Sequence, residues 1–130
     1  MLHEETIEKI IKAYYKVYNT LGHGFLEKVY ENAMAVELKH QGLECQQQKN
    51  IKVYYETEEV GDYFADLLVN NLIIVELKTA TELSPTYEGQ LLNYLKASHI
   101  EDGLLFNFGT EPQFSRKIFN NHLKYNLHPV

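Results

Sequence analysis

Apolar residues at Ile7, Ile10, Ile11, Tyr14, Tyr15 and Tyr18 recur every three or four positions between residues 4 and 20. That spacing puts side chains on one face of a helix. Leu21-Gly22-His23-Gly24 then breaks the stripe with glycines suited to a helix C-terminus. A second helical stripe runs from about Phe25 to His40 through Leu26, Val29, Tyr30, Ala33, Met34, Val36 and Leu38, and Gln41-Gly42 closes it. Past Leu43 the period changes. Ile51, Val53 and Tyr55 alternate with Lys52 and Tyr54, as on a half-buried strand, and Glu56 to Gly61 reads as a polar turn. Tyr63 to Val69 and Leu72 to Lys78 read as two strands around Asn70-Asn71, a dipeptide suited to a hairpin turn. After a loop from Thr79 to Pro85, Ser84 and Pro85 fit an N-cap followed by proline at the first helical position. That helix continues through Tyr87, Leu91, Tyr94 and Leu95 to about Ser98, and strands follow at Gly103 to Phe108 and Phe114 to Phe119. The order ααβββαββ predicts one α/β domain over residues 1–130, with a mixed sheet flanked by helices.

Charge and cysteine usage narrow the chemistry. Twelve Lys and Arg against 18 Asp and Glu leave a net charge of −6. This argues against non-specific binding of polyanions, which cationic side chains drive, although bound divalent ions would offset part of it. Lys9, Lys12 and Lys16 recur at helical spacing, and Arg116, Lys117 and Lys124 cluster towards the C-terminus; a solvated helix face and a basic tail describe them. The single cysteine, Cys45, excludes an internal disulfide and a cysteine zinc cluster. The histidines show no HxxxH spacing, and there is no GxxxxGK phosphate loop. No apolar run reaches the roughly 20 residues of a membrane helix, and the acidic, amphipathic start lacks the basic and apolar regions of a secretion signal. A cytoplasmic location without membrane partners is the resulting expectation.

The candidate chemistry sits between Asp66 and Lys78. The run Leu72 to Val75 is strongly apolar and leads directly into Glu76-Leu77-Lys78. A carboxylate entering such surroundings costs free energy unless positive charge compensates it. Lys78 shares a strand face with Glu76, because strand side chains alternate. Asp66 presents a geometric difficulty. A strict two-residue turn at Asn70-Asn71 pairs Asp66 with Val75 and sends Asp66 and Glu76 to opposite faces. An odd-length loop or a bulge brings them together, so an irregularity is predicted between the two acids, above all at the turn. Spacing alone leaves open an exposed Asp66 and a simple Glu76–Lys78 pair.

Asp66 followed by Glu76-Leu77-Lys78 resembles the signature of the PD-(D/E)XK nuclease superfamily, with Ala65 standing where the proline of that name would be. Gly24-Phe25-Leu26-Glu27-Lys28-Val29-Tyr30 is similar to the GxxExxY motif of a small bacterial and archaeal family assigned there. Gln90-Leu91-Leu92-Asn93-Tyr94 is similar to the QxxxY element of its RecB-like and lambda-exonuclease-like branches. The resemblance implies a restriction-endonuclease-like fold and metal-dependent cleavage of phosphodiester bonds, in DNA more than in RNA. It further implies Mg²⁺ or Mn²⁺ held by Glu27, Asp66, Glu76 and the carbonyl of Leu77. Lys78 would orient or deprotonate the attacking water or stabilise the transition state, and Gln90 would position the lysine or the substrate strand. Gly24, Tyr30 and Tyr94 would be neighbours of the site, with core packing the alternative for both tyrosines. Thr79 and Thr81 follow the strand within reach of a phosphate. Two other classes remain open: a nucleic-acid- or protein-binding module on the same fold with negligible turnover, and a homodimeric interaction domain, to which ten tyrosines point.

Overall fold

The computed structural model describes residues 3–124. Helices α1 (Glu4–Leu21) and α2 (Glu27–His40) come first. Strands β1 (Cys45–Tyr55), β2 (Glu58–Val69) and β3 (Ile73–Lys78) follow, then α3 (Pro85–Ala97), β4 (Asp102–Phe108), β5 (Pro112–Ile118) and a short 3₁₀ turn at Asn121–Leu123. The five strands make one sheet in the order β1-β2-β3-β4-β5. Only β3 and β4 are parallel, and α3 is the crossover that parallel neighbours require.

Each face of the sheet carries its own core. On one side α1 and α2 bury Ile10, Tyr14, Tyr30 and Met34 against Leu67, Ile73, Val75, Leu77 and Phe106. On the other, α3 buries Leu91, Tyr94 and Leu95 against Ile51, Leu68, Ile74 and Leu105. The near-continuous burial of β3 and β4 follows from having helices on both faces. Ser84 caps α3 as expected, its Oγ accepting the Tyr87 N–H. No helix among the described residues is long and apolar enough to cross a membrane.

Several boundaries differ from the sequence reading. The second helix starts at Glu27, with Leu26 still extended (φ −68°, ψ 153°). β1 begins at Cys45, well before Ile51, because Gln46 to Asn50 are exposed and carry no apolar alternation to betray a strand. The expected polar turn from Glu56 to Gly61 shrinks to two residues, Glu56 and Thr57, and Glu58 to Gly61 belong to β2. Ladder hydrogen bonds to β1, not burial, hold this segment, and a bulge shifts the register between Val53 and Tyr54. The C-terminal basic cluster is likewise not a tail. Arg116 lies on β5 and donates to Asp102 Oδ2 and Glu4 Oε1, both at 2.7 Å. Lys117 pairs with Glu88 at 2.6 Å, and Lys124 donates to the Ser98 and Ile100 carbonyls.

Candidate metal and catalytic centre

The turn between β2 and β3 contains three residues, Asn70, Asn71 and Leu72, since Val69 pairs with Ile73. Both asparagines adopt left-handed backbone angles (φ 53° and 55°) that they tolerate better than most residues. This odd-length loop is the irregularity the sequence required. Continuing the register from Leu67–Val75 sets Asp66 opposite Glu76.

The β2–β3 ladder stops at that point, while β2 stays paired with β1 and β3 with β4. Alternation slips there too. Leu67 and Val69 join the α1–α2 core, whereas Ala65 joins the α3 core. Gln48, which falls opposite Asp66 on β1, takes a φ of 55°. The strands therefore fork at the two acids, and the acids satisfy the backbone groups that the fork leaves unpaired. The Asp66 N–H donates to Glu76 Oε2 at 2.6 Å, and the Leu77 N–H donates to Asp66 Oδ2 at 2.8 Å.

The electrostatics of the pair are unfavourable as they stand. Glu76 is 4% exposed. Burial, reinforced by the charge of Asp66, pushes its carboxyl up to about 8 against the opposing pull of the Asp66 N–H and Lys78. Asp66 is also raised, chiefly by burial and then by the charge of Glu31, with the Leu77 N–H, Lys78 and Gln48 pulling the other way. Glu27, at the first position of α2, lies close to Thr79 just past β3. Its carboxyl is raised by desolvation and by Asp66, against Lys78 and Thr79. The four groups Glu27, Asp66, Glu76 and Lys78 thus act on one another across a common space. Thr79 lies beside Glu27 there.

Lys78 leaves β3 on the same side as Glu76. Its Nζ lies 3.4 Å from Gln90 Oε1 and 4.9 Å from the centre of the Tyr87 ring. Gln90 Nε2 in turn donates to the Tyr94 hydroxyl at 3.1 Å. Both residues of the QxxxY pattern therefore stand behind the lysine, four positions apart on one helix face. The loop beyond Lys78 is anchored from β4. Asn107, fully buried, accepts the Ala80 N–H and donates to the Ala80 carbonyl, each at 2.9 Å. At Gly109 a Cβ would meet the Ala80 carbonyl oxygen at 2.3 Å, so only glycine admits the loop this close.

Tyr30 belongs to the core, not to the site's surface. Its ring stacks on Phe108 at 4.2 Å, its hydroxyl donates to the Gly22 carbonyl at 2.6 Å, and it accepts the Phe25 N–H at 3.2 Å. Gly24 has a φ of 115° with open space where a Cβ would stand, so its role is conformational and not one of close approach. Gly24 and Tyr30 together hold the α1–α2 connection that delivers Glu27. Tyr30→Phe removes two hydrogen bonds and is expected to cost about 1–2 kcal/mol, read by urea denaturation; unchanged stability would refute this bracing role.

Glu31 shares the helix face of Glu27, and the structure buries it. One turn after Glu27, it is 4% exposed and bonded to Lys28, Gln47 and Gln48 at 2.8, 2.7 and 2.6 Å. The i,i+4 spacing from Glu27 was the available signal. Asn107, by contrast, has no local signature.

Among the described residues no three His, Cys, Asp or Glu side chains form a group that could hold a metal ion. The donor chemistry nevertheless suits a hard divalent cation. Asp66 and Glu76 each commit one carboxylate oxygen to the backbone exchange and keep a second, and burial opposes charge on both. A small hard cation with few carboxylates and several waters needs only this much from a protein.

The solved structure of SSO0001 shares the fold, with a TM-score of 0.58 at 15% identity over 91% of this chain. The match covers 61% of that longer chain. No functionally curated protein matches the sequence. A family profile described as the PD-(D/E)XK nuclease superfamily matches residues 4–118, the span that contains every site residue named above. With its acids paired at a strand fork and its lysine two residues on, the chain belongs to the PD-(D/E)XK nuclease superfamily.

Proposed function

We propose that this domain is a cytoplasmic, metal-dependent nuclease of the GxxExxY group, allied to the RecB-like branch, hydrolysing phosphodiester bonds in DNA more than in RNA. One observation carries the reading: Asp66 and Glu76 face each other where β2 and β3 part, Glu76 buried and its charge opposed by that of Asp66, with Lys78 on the same side. Asp66 and Glu76, with the Leu77 carbonyl and Glu27, would hold Mg²⁺ or Mn²⁺. When bound, such an ion offsets charge on the scissile phosphate and makes a water molecule more acidic. Lys78 stabilises negative charge developing on the phosphate or orients the water, and Gln90, itself bonded to the Tyr94 hydroxyl, holds its ammonium. Glu27 adds a third acid from α2, beside Thr79. Burial of Glu76 keeps bulk water from competing for the pair.

Lys78→Ala is expected to lower cleavage of plasmid or oligonucleotide DNA with Mg²⁺ or Mn²⁺ by at least about 100-fold, the scale of a lost catalytic group, with the melting temperature nearly unchanged. Purified wild-type protein that cuts neither DNA nor RNA with either ion would leave the fold as a binding module and end the nuclease reading.

A further inference from the structure

A groove of about 1110 Å³ opens from the lysine side of the candidate site and runs between α3 and the β1–β2 hairpin. Lys78 and Gln90 line its near end, and Phe119 lies among the residues beyond α3. The carboxylates Glu27, Asp66 and Glu76 are not among its lining residues. Two features distinguish this surface from the rest of an acidic chain. None of its lining residues is Asp or Glu, although the chain has 18, while Lys78 and Lys96 both line it. Aromatic rings stand on both walls: Tyr54 and Tyr63 on the hairpin, Tyr87 on α3, and Phe119 after β5. Tyr63 is 48% exposed and tilts against Tyr94 with ring centres 5.9 Å apart. Lys96 Nζ sits 5.5 Å from the Phe119 ring centre.

We infer that this groove binds unpaired nucleotides and feeds a single strand to Lys78, so that the substrate is single-stranded DNA or a single-stranded end. The inference rests on the nuclease reading for the class of polymer and adds its strandedness. An aromatic face offered to solvent can stack on a base only when that base has lost a neighbour, so aromatic lining selects unpaired over paired bases. Cations interleaved with the rings follow the backbone. The remaining surface, net acidic, offers little to the regular phosphate array of a duplex. A strand lying along the groove would put its bases on Tyr63 and Tyr87 and bring a phosphate to Lys78.

Fluorescence anisotropy with a labelled 12-nucleotide oligo-dT and a labelled 12-base-pair duplex, both in EDTA, tests this without cleavage. The single strand is expected to bind at least tenfold more tightly than the duplex. Tyr63→Ala is expected to weaken single-strand binding roughly 5- to 100-fold, and Tyr63→Phe, which keeps the ring, to restore most of it. Lys96→Ala is expected to lower the slope of log affinity against log salt by about 0.7. Equal binding of both probes, binding of neither, or unchanged affinity in both alanine variants would overturn the groove. Duplex cleavage that ignores these substitutions would overturn it and leave the nuclease reading standing. Single-strand binding in a protein that never cleaves would support the groove and overturn the nuclease reading.

Discussion

Glu76→Gln is expected to abolish metal-dependent cleavage, by at least about 1000-fold, and at the same time to make the metal-free protein more stable. The two effects have one cause. Glu76 is buried beside Asp66, and its carboxyl is pushed up to about 8 from an ordinary value of 4.5. In the unfolded chain it ionises near 4.5, so folding favours the protonated form. The metal-free fold therefore loses stability as pH rises from about 4.5, and the loss levels off above about 8. At the plateau the cost is on the order of a few kcal/mol. Glutamine keeps the shape and still accepts the Asp66 N–H, yet never takes a charge. Its advantage over wild type should be small at pH 5 and largest near pH 8.5, amounting to several degrees in melting temperature for a domain of this size. Circular-dichroism melts across that range in EDTA read it out. A variant that melts below wild type at pH 8.5 would show that the acid is not under the strain its surroundings imply.

Metal binding should reverse that pH trend. A cation that requires ionised Asp66 and Glu76 must displace a proton held by Glu76 below about pH 8. Apparent affinity for Mg²⁺ or Mn²⁺ is expected to rise close to tenfold per pH unit between about 5.5 and 7.5, then level off. At a hundredfold excess over the dissociation constant the ion should stabilise the fold by about 2.7 kcal/mol. Isothermal calorimetry at pH 7 in two buffers of different ionisation enthalpy should register nearly one proton released per ion bound. Asp66→Asn should remove the binding event. A heat of binding that persists in Asp66→Asn, or that carries no proton release in wild type, would place the ion elsewhere.

The two experiments concern residues whose neighbourhood was only partly readable beforehand. Glu76 and Lys78 were legible because they follow an apolar run at a strand's two-residue period, and period two is a property of the chain itself. Gln90 and Tyr94 were legible for the corresponding reason on a helix. Tyr30 stood out by motif, but whether it faced the site or the core depended on Phe108, 78 positions away along the chain. Spacing put Glu31 on the Glu27 face, but its burial depended on Gln47 and Gln48, which close over it from β1. That strand was itself obscured, since Gln46 to Asn50 are exposed and show no burial pattern.

Periodicity, glycine breaks and the Ser84-Pro85 cap were enough for the order of the elements and the two-faced sheet, because each is written within a few consecutive residues. Where the acids meet was settled at longer range. The three-residue loop after Val69, the loss of alternation at Asp66 opposite Gln48, and the parting of β2 from β3 together turn two carboxylates towards each other. Likewise, Asn107 and Gly109 seat the Ala80 loop from a neighbouring strand. Such features arise from pairing between segments, and a one-residue change in register would have sent the same side chains to opposite faces.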